Sequence, residues 1–495
     1  MRLLTILSAG ILLASFPNIL PAQKKELRKD SLSITHHTLQ TPAGSMQYTA
    51  TAGYMPMKDE RDTVKARLFF TAYTKDGVGD PASRPILFAF NGGPGSSSVW
   101  LHMGLIGPQR VIMGDEGDAM APPYKYIPNA YSWLPETDIV FVDPMYTGYT
   151  RPEGNTPGNN YTGYDNDIRF VGDFIRLYLS RNKRWASPKL LAGESYGTTR
   201  AAGLAGHLQE THGIYVNGIV LISAILNFGT VRTDRGNELP YSLTLPTFAA
   251  TAWYHKKAGT GFARLEDFLK EAEAFAVGPY AAALMKGDRI PDAERNAVIS
   301  RLQGFTGLSA DYLDRCNMRL TVGRFNKELL RAEGKTVGRF DGRIKGTDYD
   351  NAGAEYEWDP SYDLTVRGPY TAAFNDYVRR VLRYENDLPY EILTGRVQPW
   401  PLGENKYLNV ADVLRSAMVK NPALKVWVCN GYYDMATPYF ATDYVIHHMG
   451  LPKEMRGNVH MTYYKSGHMQ YTRKADLIQL REDYKTFLEA AIRPL

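Results

Sequence analysis

Cysteine is scarce: the 495-residue chain has two, Cys316 and Cys429. One internal disulfide is the most it can form, which excludes a small disulfide-stapled scaffold and leaves stability to the core. The sequence has no CxxC, no HExxH and no Cys/His cluster, so neither a structural nor a catalytic metal is expected, and no cofactor. An excess of one charge sign is also missing. Lys and Arg number 57 against 52 Asp and Glu, a formal +5, and no basic block is interleaved with aromatics. That balance argues against a nucleic-acid partner. There is no internal repeat and no low-complexity tract. With 44% hydrophobic and 22% charged residues, the composition is that of a globular protein rather than a disordered or fibrous one.

Long hydrophobic runs are confined to one place. The chain begins Met1-Arg2, continues through an apolar stretch from Leu3 to Phe16, and reaches Leu20-Pro21-Ala22 before Lys24-Lys25-Glu26. A basic start, an apolar run shorter than the ~20 residues needed to span a bilayer, and a small residue before a polar segment predict a secretory signal over residues 1–22, cut near Ala22 or Gln23. An uncleaved anchor fits the length less well. The expected product is periplasmic or secreted, without stable membrane insertion. In such an oxidising compartment Cys316 and Cys429 are expected to be bonded to each other.

After a polar N-terminal stretch, short apolar runs recur with turn residues behind them. They are Ile86–Phe90 before Asn91-Gly92-Gly93, Ile139–Val142 before Asp143-Pro144, Leu190–Ala192 before Gly193, Ile219–Ile222, Val426–Val428, and His460–Tyr464 before Ser466-Gly467. Apolar runs without alternation read as strands buried on both faces, as in a parallel sheet covered by helices. Between them, residues 164–184 and 199–210 carry apolar residues at helical spacing. Alternating strands and helices predict a doubly wound α/β core.

From about Asn227 to Pro401 the strand pattern gives way to helix-like pieces (262–276, 292–302) and Gly/Asp-rich loops. A core that stops and resumes predicts a first core part over 23–226, a largely helical lid insertion over 227–401, and a second core part over 402–495. The lid would lie over the carboxyl ends of the strands, where such sheets bind ligands. An independent domain is the other reading, although neither border has a flexible linker.

The sharpest local signal is Gly193-Glu194-Ser195-Tyr196-Gly197, between a strand-like and a helix-like run. A sharp strand-to-helix turn can hold a serine in a strained conformation with its hydroxyl exposed, which makes Ser195 the candidate nucleophile. Glycines that merely shape a turn would give the same letters. A serine hydroxyl needs a base to take its proton and a carboxylate to orient that base. Downstream, Asp434 and His468 each fall in a loop just after a strand, in the order nucleophile, acid, base. Singly, such an Asp is usually a turn or helix cap and such a His a surface residue; the joint placement selects the triad. Acyl transfer also needs donors for an oxyanion: the N–H of Tyr196 and one from the glycine-rich loop after Phe90. A phosphate cradle is the competing reading of that loop, but its lysine is missing.

At this point the sequence resembles the serine carboxypeptidase family. The resemblance rests on Asn91-Gly-Gly-Pro-Gly95, Gly107-Pro108, Asp143-Pro144 with Thr147-Gly148-Tyr149, Gly193-Glu-Ser-Tyr-Gly197, Asn430-Gly431 with Asp434 and Pro438, and Gly467-His468-Met469. It implies an α/β-hydrolase fold and an exported bacterial member. It also implies a Ser195/Asp434/His468 triad and an oxyanion hole from the N–H groups of Gly93 and Tyr196. The implied activity removes C-terminal residues from peptides, with Asn91, the Gly92 N–H and Glu194 holding the free carboxylate of the peptide substrate. An esterase or acyltransferase would use the same triad, and a non-catalytic binding protein would be a third class. Two positions depart from the family. Ser96 stands where a Cys is usual, and Leu105 where a Glu usually pairs with the one corresponding to Glu194. Without that partner Glu194 is expected to ionise at lower pH than in a paired site, with burial acting in the opposite direction.

Overall fold

The computed structural model describes residues 32–41, 44–118, 120–400 and 406–493. The expected signal segment, 1–22, lies outside the described residues.

A ten-stranded sheet runs through the molecule. Its main strands are β1 (Ser33–Thr41), β2 (Gly44–Lys58), β3 (Val64–Lys75), β4 (Ile86–Phe90), β5 (Asp138–Val142), β6 (Lys189–Glu194), β7 (Gly218–Ile222), β8 (Lys425–Gly431) and β9 (Val459–Tyr464). Their spatial order is β1-β2-β3-β5-β4-β6-β7-β8-β9, and a short strand, Arg151–Pro152, pairs with β3. From β5 to β9 every neighbouring pair is parallel. The first three strands and the β3–β5 junction are antiparallel. This is the mostly parallel α/β sheet that the apolar runs predict, in the α/β-hydrolase arrangement that the family resemblance implies. The polar N-terminal stretch, which shows no strand pattern in sequence, is an antiparallel extension of the same sheet.

The central strands show why their sequences lack alternation. All five residues of β4, β5 and β7 are buried. Leu87 and Ala89 face one apolar cluster while Ile86, Phe88 and Phe90 face the other. One layer contains helices α1 (Tyr164–Arg181), α2 (Tyr196–His212) and α7 (Ala411–Lys420), and the other contains α6 (Gly368–Arg380) and α8 (Lys474–Ile492).

Between β7 and β8 the chain divides in two. Helices α3 (Leu239–Tyr254), α4 (Leu265–Phe275) and α5 (Asp292–Thr306) form a third cluster, joined by Tyr433, Met435 and Tyr439 from beyond β8. Residues 366–392, including α6, belong instead to the core of the sheet. Among the described residues no helix is long and apolar enough to cross a membrane.

The expected disulfide is not formed. Both cysteines are free and buried. Cys429 is a core residue of β8, with no exposure, whereas Cys316 caps a short helix, Ala310–Arg315, in the segment between β7 and β8. Burial raises the pKa of each thiol.

Candidate active site

Ser195 sits at the bend between β6 and α2. Its φ of 59° and ψ of −129° lie in a region that side chains other than glycine seldom adopt. The bend is held by the Ser195 N–H donating to the Ile222 carbonyl at 3.0 Å and by the Thr198 N–H donating to the Ser195 carbonyl at 2.8 Å. Its two glycines answer to close approach: a Cβ at Gly193 would lie 2.0 Å from the Gly197 carbonyl, and one at Gly197 would lie 2.6 Å from the Phe90 carbonyl. The serine itself is only partly buried and opens into a cavity of about 1040 Å³.

His468 lines the same cavity. Its Nδ1 is 2.7 Å from Oδ2 of Asp434, which has no exposure. The other oxygen of Asp434 accepts the N–H groups of Ala436 and Thr437 at 2.8 and 3.0 Å, and the Thr437 hydroxyl donates to Oδ2 at 2.6 Å. These bonds fix the carboxylate before the imidazole is considered. Burial works against a charged His468, but the neighbouring Asp434 and Glu194 carboxyls prevail and raise its pKa above the usual 6.5. Asp143, another buried carboxyl after a strand, is occupied elsewhere by Ser98 and Tyr390.

The two expected oxyanion donors line this cavity too. Tyr196 is the first residue of α2, so its N–H has no intrahelical acceptor. Gly93 is exposed and has a φ of +101°, which glycine adopts freely. Gly92 must lack a side chain for another reason: its Cβ would lie 2.3 Å from the Tyr196 nitrogen and cover that donor.

Glu194 and Asn91 complete the set. Both are buried and line the cavity. The Tyr471 hydroxyl donates to Glu194 Oε2 at 2.6 Å. Nδ2 of Asn91 acts on the same carboxyl and is a buried donor with no geometric hydrogen-bond partner among the described residues. Burial, the largest influence, raises the pKa of Glu194 to about 7 against the lowering effects of His468, Tyr471 and Asn91. Loss of a second glutamate therefore does not leave Glu194 an ordinary carboxylate. Leu105 itself is a buried core residue and offers no polar group.

Three supports escaped the sequence reading. Arg200, on α2, pairs with Asp167 at 2.7 Å and donates to the Asn91 carbonyl at 2.6 Å, tying the glycine-rich loop to the helix that starts at Tyr196. Tyr471 supplies the bond to Glu194. The strap Arg339–Arg343 braces the loops of both Asp434 and His468: the Phe340 carbonyl accepts the His468 N–H at 2.6 Å, Asp341 Oδ2 accepts the Gly467 N–H at 3.0 Å, and the Arg339 carbonyl accepts the Met435 N–H at 3.0 Å. No local motif announces these residues, because each acts through a partner far away in sequence.

Comparison with known proteins bears on this geometry. Residues 41–236 match the serine carboxypeptidase family. Pheromone-processing carboxypeptidase KEX1 of Saccharomyces cerevisiae is 30% identical over 156 residues, which are 29% of this chain and 20% of that protein. Carboxypeptidase Y of the same yeast is 29% identical over 154 residues, 30% of this chain and 25% of that protein. The matched part is thus about a fifth to a quarter of the length of these relatives. The crystal structure of a prohormone-processing carboxypeptidase, Kex1(delta)p from S. cerevisiae, superposes over 89% of this chain and 91% of its own with a TM-score of 0.52 and 16% identity, which establishes the shared fold. The matched segment contains the glycine-rich loop and Ser195, while Asp434 and His468 lie beyond it.

Proposed function

We propose that this protein is a serine carboxypeptidase that releases the C-terminal residue of peptides through an acyl-enzyme on Ser195. The observation that carries the reading is a strained serine opening into the same cavity as a histidine whose Nδ1 is bonded to a buried aspartate at 2.7 Å.

In the proposed reaction His468 Nε2 takes the Ser195 hydroxyl proton as Oγ attacks the scissile carbonyl carbon. The carbonyl oxygen becomes an oxyanion held by the N–H groups of Gly93 and Tyr196. Asp434 keeps the imidazole oriented and stabilises its charged form. His468 then gives the proton to the leaving amine nitrogen as the C–N bond breaks, and water hydrolyses the ester in the reverse sense. Asn91 and the Gly92 N–H receive the terminal carboxylate of the substrate, with protonated Glu194 donating to it. Glu194 and His468 influence each other's charge, so their titrations belong to the pair. The productive form has a protonated glutamic acid and a neutral imidazole.

Of the insertion expected over 227–401, the part that forms its own cluster, residues 239–337, would act as the lid of this cavity. The basic and apolar segment over residues 1–22 supports reading the enzyme as an exported one, periplasmic or secreted. An esterase or acyltransferase is the alternative use of the same groups, and the buried carboxylate-binding set, unnecessary for an ester, favours the peptidase. A blocked dipeptide acid, its amide and its methyl ester, compared at pH 6, test this. Preference for the acid is expected, and turnover of the ester alone would replace the peptidase with the esterase.

A further inference from the structure

The cavity has a cation that the reaction above does not use. Arg339 lines it and is half-buried. Its guanidinium carbon lies 5.7 Å from the centroid of the Phe340 ring, and among the described residues it forms no ion pair. A partly desolvated cation without a counter-charge is unfavourable, and an anion entering the cavity would relieve that cost.

Its position indicates which part of a substrate it meets. The backbone of Arg339 is fixed at both ends: its N–H donates to Asp359 Oδ1 and its carbonyl accepts the Met435 N–H, each at 3.0 Å. The Phe340 ring that it overlies is 4.7 Å from the His468 ring, and the charge of Arg339 acts on His468. His468 delivers a proton to the leaving amine, so the wall beside it faces the leaving residue. The Asn91 and Glu194 set lies on other elements, at the ends of β4 and β6, and serves the terminal carboxylate.

We propose that Arg339 binds a side-chain carboxylate on the leaving residue, so that peptides ending in Asp or Glu are preferred. This rests on the carboxypeptidase reading above. The remaining charges permit it. Glu355 also lines the cavity but is exposed, where water screens its repulsion. Arg232 is exposed and 4.0 Å from Asp234. The Asp359 carboxylate is engaged by the N–H groups of Arg339, Phe340 and Ser361.

The test is the ratio of kcat/KM for a blocked Phe-Glu dipeptide over its Phe-Gln counterpart at pH 6, on the full protein. A ratio of about ten or more is expected for the wild type, as for a hydrogen bond to a charged group. Arg339→Gln should bring it to about one, Arg339→Lys should keep part of it, and Arg339→Glu should transfer the preference to a Lys-ended peptide. That last gain cannot come from a misfolded protein. Dissociation constants of the same dipeptides, measured by calorimetry on the Ser195→Ala protein, should show the same ratio without turnover. If no dipeptide is hydrolysed, the carboxypeptidase reading fails while calorimetry still decides the role of Arg339. A wild-type ratio near one overturns the proposal. So does an Arg339→Gln variant that keeps the ratio but loses discrimination between acid and amide, because Arg339 would then hold the terminal carboxylate.

Discussion

Glu194→Gln should change two measurable quantities with opposite consequences. Burial raises the carboxyl of Glu194 from 4.5 to about 7. Between those values the folded protein binds a proton that the unfolded chain has released, so stability falls as pH rises through the window. At roughly 1.4 kcal/mol per pH unit the penalty at pH 8 is about 3 kcal/mol, and below about pH 4.5 it vanishes. Glutamine keeps the shape without the titration. Urea unfolding of Glu194→Gln should therefore match wild type near pH 4.5 and show higher stability by up to about 3 kcal/mol at pH 8. Substrate selection should move the other way. With a pKa near 7, about nine-tenths of Glu194 carries its proton at pH 6 and about a tenth at pH 8. The acid-over-amide ratio of kcat/KM should fall about tenfold over that interval in the wild type, because an ionised Glu194 would repel the carboxylate it is proposed to hold. In Glu194→Gln the ratio should be flat. Removing the glutamate charge should also lower the pKa of His468, moving the acidic limb of kcat/KM to lower pH. A wild-type acid preference that is constant from pH 6 to 8, together with a variant no more stable at pH 8, would refute the reasoning.

Further outcomes follow from other parts of the site. Asp434→Asn should lower kcat by about 10⁴, because the amide no longer selects the imidazole tautomer or stabilises its charged form; steady-state kinetics would show it, and normal activity would contradict it. Gly92→Ala should cost about 10² to 10³ in kcat, since its Cβ would occlude the Tyr196 N–H, and a smaller loss would remove that donor from the oxyanion hole. Cys316 and Cys429 should both be inert to a thiol reagent in the native protein and both titrate once it is unfolded in urea. Two unreactive sulfurs after unfolding would restore the disulfide.

The sheet from β4 onward and the placement of Ser195 and His468 on one cavity, with Asp434 behind the histidine, were legible because each depends on local signals. Strands buried on both faces leave unbroken apolar runs, as Ile86–Phe90 and Ile219–Ile222 do, and the bend at Ser195 needs glycines two residues away on either side. The first three strands were not legible. In β1 only Ile34 and Leu39 are strongly apolar, and the strand exists through its register with β2, which no local pattern encodes. The segment 227–401 read as one insertion because its strand pattern stops. Its last part nevertheless packs in the main core, since α6 contributes Tyr370, Phe374 and Tyr377 to the cluster of the sheet. Leu105 directed attention to a missing carboxylate. Burial of Glu194 and the hydroxyl of Tyr471, 277 positions away, could only be seen once the chain was folded.

Release of the C-terminal residue from a blocked dipeptide acid by the wild type and by Ser195→Ala, assayed side by side with the fold of each checked by circular dichroism, tests the central claim most directly. The expected result is free amino acid from the wild type and a loss approaching 10⁶ in kcat, roughly the cost of removing a triad serine, in a variant that remains folded. A folded Ser195→Ala protein that keeps more than about a tenth of wild-type activity would contradict it, because no nucleophile at the β6–α2 bend would then be required.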